Sequence, residues 1–258
     1  MITIDQLSYQ SRLRFTNTKE KAVLAMFTLI FCVINRSIVF SCFVLLVMGI
    51  LTVKKGGVPF PGYLHFIKLP FIFLILSTVA IVINLKPVPL DLFAIPLGNS
   101  YLTGSREALF YALQLILTAL ASVSCLYFLS MTTPVPDLLN LLYDLHCPRL
   151  LVELMLLIYR FIFVLLKTAD SISLAQKSRL GNKDYRTSLK SFASLGSSLM
   201  VRAVKRSNAL YSSMEARCYD GKINLLREEQ PVNRISMFYI FLFELFLLIF
   251  TILRIFFL

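Results

Sequence analysis

The sequence lacks the close ligand sets from which most metal and redox sites are built. Its two histidines, His65 and His146, stand alone, and each reads as an interfacial residue rather than a ligand. The five cysteines are Cys32, Cys42, Cys125, Cys147 and Cys218, with no C-x-x-C pair among them. That spacing supports neither a disulfide framework nor a zinc site, and leaves cysteine as a small buried apolar residue. No G-x-x-x-x-G-K-[ST] loop is present to cradle a phosphate, so the chain is not itself expected to hydrolyse ATP. Neither a D-D-x-x-D cluster nor a histidine beside a nucleophile appears, which removes the usual membrane enzymes acting on lipids or isoprenoids. Acid is scarce too: 14 Asp and Glu stand against 26 Lys and Arg, a net charge of +12. In a soluble chain that excess would point to nucleic acid. Here no aromatic residues alternate with the basic ones outside the apolar runs, so no nucleic-acid partner is expected.

What the chain has is apolar length. Hydrophobic residues fill 57% of its 258 positions, more than one soluble core of this size can hide. They gather into the runs Ala22–Asn35, Ser37–Val53, Leu64–Leu85, Ala108–Met131 and Ile235–Leu258. These approach or exceed the roughly 17–25 residues a membrane span requires. The expected fold is all-α and polytopic, with about five transmembrane helices. A hydrophilic stretch precedes the first run, so that run reads as a retained helix rather than a cleaved signal peptide. The four strongest runs are nearly free of charge, which argues against a self-contained channel or carrier.

Charge sets the expected topology, because basic residues collect in cytoplasmic loops. Arg12, Arg14, Lys19 and Lys21 place the N-terminus in the cytoplasm. Asn35-Arg36-Ser37 reads as a tight external turn, and Lys54-Lys55-Gly56-Gly57 through Lys68 as a cytoplasmic return. The charge-poor loop from Lys86 to Arg106 is external. The segment Leu150–Lys167 is apolar enough to suggest a further span. Crossing there would export the stretch from Lys167 to Arg234, which holds half of the 26 basic residues against six acidic ones. The segment also carries Glu153 and Arg160, both costly at a bilayer centre. We therefore expect Leu150–Arg179 to be one long helix that lies in the interface or leans into the bilayer, with apolar residues toward lipid or a membrane partner.

The chain thus divides into residues 1–131 with four spans, 132–233 as a cytoplasmic or interfacial helical module, and 234–258 as a last span. Three helices are expected in the module. The first follows Asp137, which suits an N-cap or first turn, and carries Leu138, Leu139, Leu141, Leu142 and Leu145 on an amphipathic face ending before Pro148. The second ends at Gly181, read as the C′ residue, with Arg179 in the last turn. The third runs from about Tyr185 to Cys218, with Arg217 in its last turn and Gly221 soon after. Its Ser191, Ala193, Ser194, Gly196, Ser197, Ser198, Ala203 and Ser207 suit a close helix crossing. Dipole complementarity alone accounts for one such arginine. Two helices ending alike suit bidentate capture of carboxylates or carbonyls on a partner.

Several motifs, in order and spread over almost the full length, carry a family resemblance. They are Asp5-Gln-Leu-Ser-Tyr-Gln-Ser-Arg-Leu-Arg-Phe15 with Glu20-Lys21, Thr132-Thr133-Pro134-Val135-Pro136-Asp137-Leu138-Leu139, Tyr159-Arg160-Phe161-Ile162-Phe163, Ala175-Gln176-Lys177-Ser178-Arg179-Leu180-Gly181, and Met214-Glu215-Ala216-Arg217-Cys218-Tyr219-Asp220-Gly221. The chain resembles the transmembrane coupling (T) component of energy-coupling-factor importers, in its cobalt branch, CbiQ. The last motif usually reads Ala-Arg-Gly, and Cys218 stands here in place of the glycine. The resemblance implies a coupling subunit of an ABC importer for Co²⁺ that supports cobalamin biosynthesis. It implies two CbiO-like ATPase subunits, a CbiM-like substrate-binding membrane subunit and a small CbiN-like subunit as partners, besides membrane lipid. ATP and Mg²⁺ would belong to the ATPases, and no cofactor or metal to this chain. Arg179 and Arg217 would make the ATPase contacts, supported by Ser178, Leu180, Gly181, Ala216, Cys218, Asp220 and Gly221. A T component serving nickel or a vitamin remains the alternative on these residues.

Overall fold

A computed structural model describes residues 3–82, 84–86, 93–97, 100–104, 106–220 and 234–257 of the chain. The helices begin and end where side chains and turns satisfy their open backbone groups. After α1 (Thr3–Gln10), Asn17 opens α2 (Thr18–Asn35) by accepting the Lys19 N–H at 2.9 Å on its side chain. Arg36, in left-handed conformation, ends α2 by donating its N–H to Cys32 O, and α3 (Ile38–Ile50) starts at once. A π-helical turn, Leu51–Lys55, continues α3 into Gly56, whose carbonyl accepts from Arg12 N–H at 3.1 Å and Ser11 Oγ at 2.9 Å. Then come α4 (Phe60–Val82), strands β1 (Asn84–Lys86), β2 (Phe93–Leu97) and β3 (Ser100–Gly104), α5 (Arg106–Thr132), α6 (Val135–Asp144), α7 (Arg149–Ser178), α8 (Tyr185–Glu215) and α9 (Arg234–Phe257).

The fold class is all-α, as expected, with one small antiparallel sheet of order β1-β3-β2 between α4 and α5. That sheet was not foreseen in a stretch read as loop. Pairing Leu97 with Ser100 leaves two residues between β2 and β3, and the sequence there, Gly-Asn, is a hairpin signal.

Contacts divide the chain into two units, residues 1–138 with 229–258 and residues 139–228. The first is a helical bundle centred on α5, which packs against α1, α2, α3 and α4. Its core joins Leu24, Ala25 and Cys32 of α2, Phe40, Val44 and Met48 of α3, Ala121, Cys125 and Phe128 of α5, and Leu247 of α9. Ala121, Ser124 and Cys125 are fully buried small residues, which allow backbones to approach closely. All five cysteines are free thiols, and Cys32 and Cys125 are buried.

Four helical stretches are long and apolar enough to cross a membrane: Ile38–Lys55, Phe60–Val82, Arg106–Thr132 and Arg234–Arg254. Neither α2 nor α7 is among them. The chain is a multi-pass membrane protein. The polar groups of α2 find partners instead of lipid. Thr28 Oγ1 donates to Glu244 Oε1 at 2.9 Å, Asn35 Nδ2 to Thr251 Oγ1 at 3.4 Å, and Arg254 Nη1 to Asn35 Oδ1 at 2.9 Å. The last span is therefore less free of charge in function than its hydropathy suggests: Glu244 and Arg254 both tie α9 to α2. At the opposite end of α2, buried Lys21 donates to Leu13 O at 3.0 Å and Thr132 O at 3.2 Å, with the Asp137 carboxylate acting on it electrostatically. The N-terminal motif and the Thr-Thr-Pro motif thus meet at one ammonium group.

The second unit is built on α7 and α8, which run antiparallel. Gln176 meets Ser191, while Leu157, Arg160, Phe161 and Val164 share a groove with Arg206, Ala209 and Leu210. Of the small residues expected to mark a crossing on α8, Ser191 meets Gln176 and Gly181 at the end of α7, and Gly196 approaches no described residue. No residue of α8 is buried, and a Cβ placed on Gly196 would meet nothing within 4 Å.

Candidate coupling surface

The ends of α7 and α8 have the same construction. At the first, Arg179 caps the helix, Leu180 takes the left-handed conformation at φ 57°, and Gly181 follows. Gly181 N–H donates to Gln176 O at 2.8 Å, and Leu180 N–H to Lys177 O at 3.1 Å. At the second, Cys218 is left-handed at φ 59°, Tyr219 N–H donates to Met214 O at 3.0 Å, and Cys218 N–H to Glu215 O at 3.0 Å. Each pair of bonds is a Schellman motif, with the arginine immediately before the left-handed residue. α6 ends in the same motif, with His146 left-handed at φ 63° and Cys147 N–H on Leu142 O, but Leu145 stands where the other two have arginine.

This geometry corrects the sequence reading at both ends. Gly181 was expected to be the left-handed C′ residue, but Leu180 occupies that place. Glycine is needed one residue later for a different reason. A Cβ on Gly181 would lie 2.7 Å from the Gln176 carbonyl oxygen and 2.8 Å from Ser191 Oγ. Ser191 Oγ donates to Gly181 O at 2.8 Å, and Gln176 Nε2 donates to Ser191 O at 2.9 Å, so the α7–α8 corner closes over this glycine. The third helix ends at Glu215 rather than near Cys218, with Ala216 as its cap, which puts Arg217 one residue past the cap instead of in the last helical turn. Cys218 therefore sits where a family glycine would pay no steric penalty for positive φ.

Arg179, Arg217, Ser178, Leu180, Ala216, Cys218 and Asp220 are all exposed, and Gly181 is half-buried. Gly221 lies outside the described residues. Neither Arg179 nor Arg217 hydrogen-bonds or pairs with a described residue through its guanidinium. The two tips lie at opposite ends of the α7–α8 pair, because Asp220 acts electrostatically on Arg149 at the start of α7. With 30 residues in α7, the tips are separated by about 45 Å at 1.5 Å per residue.

The surroundings of the second tip are braced by short-range pairs. A hydrogen bond from Tyr211 to Glu215, one turn before the second tip, and the nearby carboxylate charge push the Tyr211 phenol up. Arg149 Nε holds buried Glu153 Oε1 at 2.7 Å, and that bond with the carboxylate charge pushes the guanidinium up. Glu153, costly at a bilayer centre by itself, is taken by Arg149, four residues before it on the same helix. The i,i+4 spacing was readable, but the helix was expected to start at Leu150, one residue too late. Residues that sequence reasoning missed are Gln176 and Ser191, which lock the first tip, and Arg206, which joins Arg160. Their roles depend on an antiparallel register that no local pattern encodes.

Among the described residues, no three His, Cys, Asp or Glu side chains come together as a metal site. The family model for CbiQ, cobalt transport protein, matches residues 10–232. The chain belongs to the CbiQ family. It is 31% identical over 246 residues to an uncharacterized protein of Methanocaldococcus jannaschii, covering 95% of this chain and 91% of that one. The cobalt transport protein CbiQ of Salmonella typhimurium is 28% identical over 87% of this chain and 100% of its own. A putative fused cobalt transport protein CbiMQ of Methanocorpusculum labreanum is 36% identical over 60% of this chain and 25% of its own length. As a CbiQ family member, the chain is a component of cobalt transport.

Proposed function

We propose that this chain is the transmembrane coupling subunit of an energy-coupling-factor importer for Co²⁺, feeding cobalamin biosynthesis, and is not itself an enzyme. Arg179 and Arg217 each dock in a groove on one of two CbiO-like ATPase subunits. Closure of the ATPases on ATP shifts the two tips, and the apolar faces of α7 and α8 pass that motion to a CbiM-like membrane subunit, assisted by a CbiN-like one. That subunit reorients and releases the metal inside. ATP, Mg²⁺ and the bound Co²⁺ belong to the partners. The observation that carries this reading is the repeated Schellman end with an exposed arginine, unpartnered among the described residues, immediately before the left-handed residue of both long helices. Such an end fixes the backbone of the arginine, whose planar fork suits bidentate bonding to a carboxylate or carbonyls. The spacing of the tips suits two separate binding subunits better than one. The fused CbiMQ relative supports a CbiM-like neighbour.

In this reading the protein lies in the prokaryotic plasma membrane, with the N-terminus and the α6–α8 module in the cytoplasm and α7 not crossing. The test is co-purification from native membranes. Wild type should retain an ATPase pair and support Co²⁺ uptake. Arg179→Glu and Arg217→Glu should each weaken ATPase retention while membrane insertion stays normal, and the double variant should lose uptake. Normal uptake by a correctly inserted double variant would defeat the mechanism. A tag after Leu258 that stays protected from outside reagents would defeat the topology alone.

A further inference from the structure

The spans α3 and α9 meet through aromatic rings at one end and part at the other. Phe40 stacks on Phe250 with ring centroids 5.5 Å apart, and Phe43 stands 6.5 Å from Phe243 and 6.1 Å from Phe246. Further along, Val47 of α3 and Leu51 of its π-helical turn face Tyr239 and Ile240 of α9 across a cavity of ≈ 280 Å³. Leu24 of α2 and Phe128 of α5 form the back of this cleft, and Phe243, already on Phe43, closes its deep end. The lining changes character along the bundle axis. Glu20 and Lys21 lie at the start of α2, Lys55 ends the α3 span and Ser236 falls in the first turn of α9, so the polar groups share one level. Leu24, Val47, Ile240 and Phe243 lie one to two turns deeper. Lys21, 4% exposed, is held there by Leu13 O at 3.0 Å and Thr132 O at 3.2 Å, and exposed Lys55 adds a second cation. Two cations and one carboxylate leave the polar end net positive.

A cleft that is charged where two spans terminate and apolar toward mid-span has the polarity of one bilayer leaflet. Its rims are exposed apolar positions, Leu46 and Ile50 on α3 and Leu242 on α9, so the cleft continues the surface that hydrocarbon covers. A partner helix, about 10–12 Å across, does not enter a space that tapers to a pair of stacked rings, whereas a single acyl chain does. Left empty, the apolar walls would forfeit the contacts that a filled interior makes. We infer that the cleft between α3 and α9 seats one anionic phospholipid, with an acyl chain along Val47, Ile240 and Phe243 and its phosphate at the level of Lys21 and Lys55. This goes beyond the coupling reading and depends neither on it nor on which side of the membrane this end faces.

The chain contains no tryptophan, so a single introduced one reports only its own surroundings. Tyr239 lines the cleft and Phe241 does not, although each is 65% exposed, and two residues apart they point to opposite sides of α9. Full-length Tyr239→Trp and Phe241→Trp variants are purified in detergent and titrated with phosphatidylglycerol brominated on its acyl chains, kept dilute in the micelle. Emission from the tryptophan at 239 should fall and saturate, while that at 241 should change little. Unbrominated phosphatidylglycerol should reverse the quenching and inorganic phosphate should not. Val47→Phe, made in the Tyr239→Trp chain, should abolish it by filling the cleft. Lys55→Gln should raise the lipid concentration required by about fivefold, the contribution of one basic residue near an anionic surface. If Val47→Phe does not fold, the comparison of positions 239 and 241 still decides. Equal quenching at the two positions, or quenching at 239 that never saturates, would show general solvation by lipid and overturn the site. So would no quenching at 239, or unchanged quenching in a folded Val47→Phe variant. Reversal by inorganic phosphate alone would replace the phospholipid with a soluble oxyanion and overturn it as well.

Discussion

Replacing Cys218 with glycine should tighten the end of α8. Cys218 holds φ 59°, where a side chain crowds the following carbonyl at a cost of about 1–2 kcal/mol that glycine does not bear. The gain is partly offset, because glycine leaves the unfolded chain freer by about 0.4–1 kcal/mol. The thiol is exposed, so its loss forfeits no packing. The net expectation is a stabilisation of about 0.5–1 kcal/mol confined to the last turn, that is, roughly two- to fivefold slower opening of that turn. Hydrogen exchange of the purified full-length chain reads this directly. Protection should rise at Cys218 N–H and Tyr219 N–H, which bond to Glu215 O and Met214 O, and should not change at the α7 tip. Unchanged or weaker protection at these two amides would refute the assignment of positive φ to this position. A rise spread over the whole of α8 would show that the effect is not local strain relief.

Gly181→Ala should act in the opposite sense at the other tip. Its Cβ meets the Gln176 carbonyl at 2.7 Å and Ser191 Oγ at 2.8 Å, so the α7–α8 corner must open, at about 1–3 kcal/mol. Faster exchange at the Gly181 and Leu180 amides with α9 unaffected checks it. Thr28→Val removes the hydroxyl that donates to Glu244 and should lower bundle stability by about 0.6–1.7 kcal/mol, measured by denaturant titration in detergent. Thr28→Ser, which keeps the donor, should recover most of the loss; equal losses in the two variants would point to packing instead.

Much of this protein is written in short stretches of sequence. Apolar runs longer than a soluble helix needs dictate membrane residence, because hydrocarbon accepts a helix only when its side chains are apolar. The basic excess around α7 and α8, the arginine near each helix end and the motifs that carry the family resemblance are likewise local, and survive any rearrangement of helices. Even the pairing of Arg149 with Glu153 was available at i,i+4, had the helix been started at Arg149 rather than Leu150.

Other features exist only because distant segments meet. Leu180 rather than Gly181 adopts positive φ because Ser191, ten residues on, closes down over the glycine. Arg206 becomes a neighbour of Arg160 through antiparallel pairing of two helices, and Lys21 acquires Thr132 O across 111 residues of chain. Glu244 and Arg254 look like blemishes in an apolar run until α2 supplies Thr28 and Asn35 beside them. The division follows the range of the forces. Hydropathy, helix dipoles and backbone strain act over a turn or two and are legible residue by residue. Partner choice for a buried hydrogen bond or an unpaired charge is settled by which surfaces the fold brings within a few ångströms.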